Sequence, residues 1–370
     1  MHIQWLGHYG EVYSYGRMSV RFVQTLQKLG VSVTAITRDD INKPLWMQKQ
    51  MGIDWNDLTI TCLPAFDLMP IPGRSVLYSM METSLLEQKY ADIINSLGYE
   101  KVIVPCENVK EGYMQGGVTV PISVVAAGTD PDEFPVLKKH WEGKSHPYTF
   151  LVFGDRGFRK GFNEVWEAFY QAFGGKTTGN QDVRLIVKTI PRGTEAILTD
   201  NMSEANGADK RIVYQTEIAK DMPSVYAQAD CVLLPSRYEG WGMPHREAAC
   251  MGIPVVTQKY SGMDDGFTEQ WALVVPGSVQ EASGPSYGNH SMVDIPALAQ
   301  VMKWAYYSPE TAFAFGQKAA RWIRENQTWE HAVEGILAEV LWQKRARLNT
   351  TYPMVNSFSK TLELSEQPLR

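Results

Sequence analysis

Between Pro235 and Val256 the chain reads PSRYEGWGMPHREAACMGIPVV, and Glu239 and Glu247 stand in it with seven residues between them. The apolar run CVLL leads into the segment and IPVV closes it, so the carboxylates occupy a strand-to-helix connection. Gly240 and Gly242 let the backbone come close to a ligand, and a helix starting near Met243 begins with unpaired N–H groups. Two carboxylates in such a loop suit a long ligand with hydroxyls at both ends and phosphates between them. A sugar nucleotide has that form: one carboxylate accepts from sugar hydroxyls and the other from ribose hydroxyls, while the helix start faces the phosphates. Charge-assisted bonds of this kind contribute about 1.5–3 kcal/mol each. The competing reading is structural, with Glu247 capping its own helix and Glu239 on the surface.

A second stretch, FLVFGDRGFRKGFNEVWEAF, reads as a strand, a glycine-rich basic turn and a helix. Gly154, Gly157 and Gly161 free backbone N–H groups, and Arg156, Arg159 and Lys160 gather positive charge at the helix start. The natural ligand is a diphosphate. The glycine spacing fits neither the P-loop nor the G-x-G-x-x-G fingerprint, so taken alone the turn also reads as a solvated basic loop.

These segments need a scaffold, and the chain supplies an alternating one. Apolar runs HIQWL, VSVTAIT, LTITCL, SVLYSMM, KVIVP and ISVVA are followed, after a break, by YTFLVFG, VRLIVKT, RIVYQ, CVLLP, IPVVT and ALVVP. Helical patterns fall at 17–29, 84–97, 161–173, 218–228, 243–251, 294–307, 310–325 and 329–347. Strands that are apolar nearly throughout, alternating with helices, predict α/β architecture with parallel sheets covered on both faces. The break DPDEFPVLKKHWEGKSHPY, rich in proline and charge, reads as an interdomain linker. Two doubly wound domains facing each other place a cleft at the carboxyl ends of both sheets. SVQEASGPSYGNHSMVD reads as a long polar loop, and the tail after Arg345 as partly extended.

Composition excludes several classes. The 370 residues exceed one typical domain, and 44% hydrophobic content supplies core without a disulfide or metal staple. With 35 basic against 41 acidic residues the net charge is −6, which weighs against a broad nucleic-acid surface. The scattered cysteines Cys62, Cys106, Cys231 and Cys250 form no C-x-x-C pair and suit a reducing compartment. The start MHIQWLGHYG lacks the regions of a signal peptide, and no window approaches the roughly 20 apolar residues of a membrane span. A cytoplasmic protein is expected, with peripheral membrane contact left open, and the N-x-S/T sequons are read as chance. His8 and His245 have no metal-ligand spacing, and SGMDDG reads as a turn rather than a calcium loop.

The paired-glutamate segment resembles the E-x7-E region of retaining nucleotide-sugar glycosyltransferases of the family 4 type (glycosyl transferases group 1), whose fold is GT-B. GVSVTAIT, ISVVAAGTDPDEF, GDRGFRKG, VYAQADCVLLPSRYEGWG and TWEHAVEGIL resemble further segments in the family's order, over nearly the whole chain. The resemblance implies two Rossmann-like domains: an acceptor domain at 1–140, with the 345–370 tail packing on it, and a donor domain at 147–344. It implies retaining, metal-independent hexosyl transfer from a nucleoside-diphosphate sugar to an acceptor hydroxyl, with no cofactor. Glu239 is expected to meet the donor sugar and Glu247 the ribose, while Lys160 with Arg156 or Arg159 neutralises the leaving diphosphate. Gly240, Trp241, Gly242 and Met243 are expected to hold sugar and phosphate oxygens. Lys188 is a further candidate there, and Tyr214 to Thr216 should lie near the base.

The first domain departs from the family pattern. Its loop GHYGEVYSYGRM is long and aromatic; Gly16 is taken as the residue touching phosphate, and Tyr9, Tyr13 and Tyr15 either line an acceptor site or simply pack. Glu82 stands where many relatives carry histidine; it either acts on the acceptor hydroxyl or steadies positive charge on the sugar, or else caps a helix. The domain, ending near residue 134, is also short for the family. The acceptor, whether glycan, lipid or small molecule, is not specified, and nucleic acid is disfavoured by charge. Competing readings are a sugar-nucleotide epimerase on the same fold, a non-catalytic nucleotide-sugar-binding subunit, and a DNA-modifying transferase. A phosphorylase would need a lysine-bound pyridoxal site, for which the sequence gives no support.

Overall fold

The computed structural model describes residues 2–10, 14–138, 147–154, 158–175, 178–189, 209–282 and 288–347. Its first sheet contains β1 (His2–Gly7), β2 (Ser32–Ile36), β3 (Leu58–Cys62), β4 (Ser75–Tyr78), β5 (Lys101–Val104) and β6 (Ile122–Val124). The strands are parallel, in the order β2-β1-β3-β4-β5-β6. The second sheet contains β7 (Tyr148–Phe153), β8 (Val183–Lys188), β9 (Ile212–Gln215), β10 (Cys231–Leu234), β11 (Val255–Gln258) and β12 (Leu273–Val275). It too is parallel, in the order β12-β11-β10-β7-β8-β9. Each of these strands coincides with one of the apolar runs in the sequence. Burial on both faces explains why they lack polar alternation: every residue of β10 and β11 is buried.

Strand order determines where a ligand can lie. In the second sheet it reverses between β7 and β10, and in the first between β1 and β3. Chain leaving adjacent strands in opposite directions opens a crevice at their carboxyl ends. The basic turn leaves β7 and the paired-glutamate loop leaves β10, so residues about eighty positions apart become neighbours. The backbone N–H of Arg237 donates to the carbonyl of Arg159 at 2.8 Å, joining the two loops.

The last described helix, Trp329–Arg347, follows the second domain in sequence but packs on the first. Trp329, Ala332, Val333, Ile336 and Val340 belong to the first domain's core, and Trp329 meets Phe22 edge-on at 4.9 Å. Glu339 accepts from Lys101 Nζ at 2.5 Å and from Ser123 Oγ at 2.7 Å. Of the expected tail, 348–370 lies outside the described residues, as does 139–146 of the linker.

Three features depart from the sequence reading. The polar stretch taken as a loop contains an antiparallel pair, β13 (Gly277–Glu281) with β14 (Asn289–Val293). Polar residues with sparse alternation hide a ribbon whose first strand is exposed throughout. The helix Glu107–Gln115 has no reading at all, because Gly112 interrupts its apolar stripe. A Cβ at Gly112 would lie 2.4 Å from Met81 Cε and 2.5 Å from the Ser84 carbonyl oxygen, so the glycine allows the 81–84 loop to sit against the helix. The short helices Arg38–Ile41, Leu45–Gln50 and Thr268–Trp271 also have no sequence expectation, being too brief for a period to show.

Because Trp329 is the first apolar anchor of the crossing helix, Trp329→Ala should lower unfolding free energy by about 3–5 kcal/mol. Urea unfolding checks this, and a loss below ~1 kcal/mol would mean that the site collapses without penalty.

Candidate active site

A cavity of about 960 Å³ lies between the two crevices. The second domain contributes Arg159, Lys160 and the run from Glu239 to Pro244; the first contributes the loops after β1 and β3 and residues around 80–90.

Its charged centre is built from two loops. Gly161 ends the basic turn at φ 70°, caps the helix Phe162–Phe173, and would bring a Cβ within 2.9 Å of the Pro235 carbonyl oxygen. Glycine is therefore needed twice over: for the left-handed backbone and for the approach of the neighbouring loop. Arg159 Nη1 and Lys160 Nζ each donate to the Glu239 carboxylate at 2.6 Å. Glu239 is 4% exposed. Burial pushes its pKa up, but the charges of Arg159 and Lys160 outweigh that and hold it well below the usual carboxylate range. Its main-chain carbonyl accepts from Ser261 Oγ at 2.8 Å and from the Gly262 N–H at 2.9 Å. Ser261 has φ 54°, a left-handed backbone at a non-glycine residue. Arg159 Nη2 also reaches Glu82 Oε1 at 3.1 Å, an ion pair between the domains. Arg156 lies outside the described residues.

Gly242, at φ 76°, caps the helix Met243–Cys250 with no side-chain cap. Trp241 is buried and belongs to the first domain's core although it comes from the second. A Cβ on Gly240 would lie 3.0 Å from Met80 Sδ and from the Met81 carbonyl oxygen, so this loop is where the domains touch. Gly16 lines the cavity on the opposite side, and its missing Cβ accommodates the Gly10 carbonyl oxygen, which such an atom would meet at 2.6 Å. Tyr9 and Tyr15 both line the cavity and both pack: their hydroxyls donate to the carbonyls of Trp5 at 2.7 Å and Met80 at 2.8 Å. Tyr13 lies outside the described residues.

Glu247 occupies a different environment. It is 3% exposed and is not part of the cavity wall. Tyr226 donates to its Oε2 at 2.9 Å, and Arg17 Nη1, from the first domain's helix Ser14–Lys28, lies 3.0 Å from Oε1. Burial nevertheless dominates and raises its pKa. Lys188, at the end of β8, is also buried and outside the wall; its Nζ donates to the carbonyls of Glu217 and Gln215. Tyr214 on β9 is half-buried against the second domain's core, and Thr216 beyond it is exposed. The structure thus gathers Glu239, Lys160, Arg159, Glu82, Gly16, Gly240, Trp241, Gly242 and Met243 at the cavity, and places Glu247, Lys188, Tyr214 and Thr216 apart from its lining.

Sequence reasoning assigned no role to Arg17 or to a buried node centred on Arg246. The Arg246 guanidinium lies 3.5 Å from the ring centroid of Trp241 and 4.6 Å from that of Trp271. It donates to Asp265 at 2.8 Å, to Gln327 at 3.0 Å, and to the Trp241 carbonyl. The signal available in sequence was a basic residue between His245 and Glu247 in a short helix. Among the described residues no group of three or more His, Cys, Asp or Glu side chains is placed to hold a metal, and no helix is long and apolar enough to cross a membrane.

The family described as Family 4 Glycosyltransferase in conflict systems matches residues 113–336, well over half of the chain. The chain belongs to that family. The glycosyltransferase also resembles solved structures over most of its length. Sucrose-phosphate synthase from Thermosynechococcus elongatus is 16% identical with a TM-score of 0.67, covering 94% of this chain and 99% of that one. HepE of Anabaena, solved with UDP and glucose, is 15% identical with a TM-score of 0.65, covering 93% of this chain and 100% of that one. WaaG, a glycosyltransferase of lipopolysaccharide biosynthesis, is 15% identical with a TM-score of 0.62, covering 92% and 99%. These likenesses establish the two-domain GT-B fold. No curated protein matches the chain.

The burial of one residue in the paired-glutamate segment predicts a loss of stability in acid. His245 is fully buried, its Nε2 lies 3.0 Å from the Leu234 carbonyl oxygen, and burial lowers its pKa to about 4. The unfolded chain takes up this proton near pH 6.5. The folded state refuses it until about pH 4, so stability should fall as pH drops through that window. His245→Gln should flatten the dependence between pH 6.5 and 5, measured by urea unfolding. An unchanged slope would place the acid sensitivity elsewhere.

Proposed function

We propose that the glycosyltransferase moves a hexosyl group from a nucleoside-diphosphate sugar to an acceptor hydroxyl, with retention and without a metal ion. The observation that carries this reading is the pairing of Arg159 and Lys160 with Glu239 at the crevice between β7 and β10. As the bond between the sugar and the diphosphate breaks, negative charge grows on the departing phosphate. Arg159 and Lys160, both at the cavity wall, stabilise that charge by exchanging the Glu239 carboxylate for the departing phosphate, the role a metal fills in other transferases. Glu239, held ionised, accepts hydrogen bonds from sugar hydroxyls. These bonds strengthen as positive charge develops at the sugar ring.

Retention rests on the likeness of the E-x7-E segment to retaining enzymes. The choice of a hexose is supported by HepE, whose structure holds UDP and glucose, and uridine diphosphate is therefore the first donor fragment to test. Glu247 binds ribose in this reading only after Arg17 yields its place, because the guanidinium and Tyr226 now occupy the carboxylate. Arg17 belongs to the first domain, so donor entry and domain separation are coupled at this pair.

Transfer should persist in excess EDTA; loss of activity that manganese restores would overturn metal independence. Calorimetry with uridine diphosphate provides a second test. Glu247→Ala should weaken binding by roughly 1.5–3 kcal/mol, and Lys160→Ala should impair both binding and turnover, because the diphosphate is present in ground and transition states alike. Unchanged affinity in both variants, with folding confirmed by circular dichroism, would contradict the assignment.

A further inference from the structure

The part of the cavity wall contributed by the first domain differs sharply from the cationic part contributed by the second. Tyr9, Phe66, Met80, Met81, Leu86 and Tyr90 supply rings, thioethers and an aliphatic chain to it. The Tyr9 hydroxyl is committed to the Trp5 carbonyl, so this residue presents its ring rather than its oxygen. Among the described residues the first domain contributes no lysine or arginine to the wall; its carboxylates there are Glu82 and Glu87. Glu87 pairs with Lys89 at 2.5 Å, and the Lys89 ammonium lies 4.7 Å from the Tyr90 ring centroid but is mostly exposed and is not itself part of the wall. His8, at the rim, is 2.6 Å from Asp67. Phe66 is 73% exposed beside this rim, a large apolar side chain left in water at the mouth of the cavity.

Resting on the transfer reading above, we propose that the acceptor is an uncharged alcohol with a flat apolar body, seated among Tyr9, Phe66, Met81 and Tyr90, with its hydroxyl directed toward Glu82 and the Arg159–Glu239 centre. An acceptor bearing phosphate would bring its charge against Glu87, and because Arg159 is already paired with Glu82 and Glu239 it would have to displace one of those carboxylates to gain a cation. A polyhydroxylated acceptor seated there would leave the hydroxyls that face Tyr9, Phe66, Met81 and Tyr90 against rings and a thioether. An aryl or similarly flat alcohol removes apolar area from water on both sides and needs a polar partner only at its reacting oxygen. In the transfer, that oxygen bonds to the anomeric carbon as the bond from that carbon to the diphosphate oxygen breaks. The bonding pair leaves with the diphosphate, which also takes the hydroxyl proton.

The matched probes are 2-naphthol and 2-naphthyl phosphate, which share one ring system and differ in charge. They are titrated calorimetrically into the full chain saturated with uridine diphosphate. We expect 2-naphthol to bind saturably and 2-naphthyl phosphate to bind about tenfold more weakly or worse. Phe66→Ala and Tyr90→Ala should each weaken 2-naphthol about fivefold or more, and Glu82→Gln with Glu87→Gln should narrow the gap between the probes. Equal or tighter binding of the phosphate, or 2-naphthol binding indifferent to Phe66 and Tyr90, overturns the proposal. If uridine diphosphate binds and 2-naphthol does not, this inference alone fails. Failure of uridine diphosphate to bind counts against the donor reading instead, and the titration repeated without nucleotide still tests the wall.

Discussion

A carboxylate buried between two cations organises this molecule. Glu239 is nearly inaccessible to solvent, and a lone charge in that position would be strongly disfavoured. Arg159 and Lys160 make it tolerable, and both are brought there by strand order rather than by closeness in sequence. The arrangement fixes more than one ion pair. It requires the turn after β7 to lie against the loop after β10, which in turn requires a glycine at 161. It also places one guanidinium and one ammonium group at the cavity wall.

The second domain does not hold this site alone. Trp241 sits in the first domain's core, Arg159 reaches Glu82, and Arg17 reaches Glu247. Arg246 joins the Trp241 carbonyl to Gln327, which stands just before the helix that crosses back to the first domain. The loop that carries Glu239 and the crossing helix are thus tied through a single buried guanidinium.

Much of the architecture was legible in sequence because burial on both faces leaves a plain mark. Runs such as CVLL and IPVV are apolar throughout, and amphipathic helices separate them. The cationic turn and the glutamate pair stand out in sequence by residue type and glycine placement; the structure brings Arg159 and Lys160 to Glu239 and leaves Glu247 outside the cavity wall. What stayed hidden depends on three-dimensional neighbours. Nothing near Arg17 in sequence points to Glu247, and nothing near Arg246 points to Asp265 or Gln327. The helix Glu107–Gln115 was hidden by Gly112, whose reason lies in the Met81–Ser84 loop packed on it. The β13–β14 ribbon was hidden because an exposed strand of polar residues looks like a loop.

The central claim is that Glu239 and a diphosphate compete for Arg159 and Lys160, and inorganic pyrophosphate tests it without requiring the base or the sugar. Its affinity for the wild-type chain and for Glu239→Gln is measured by calorimetry at matched ionic strength. Removing the carboxylate charge frees the two cations, so pyrophosphate should bind more tightly to the glutamine variant. Weaker binding to a variant that remains folded would mean that Glu239 supports the anion site rather than competing with it, and would contradict the account.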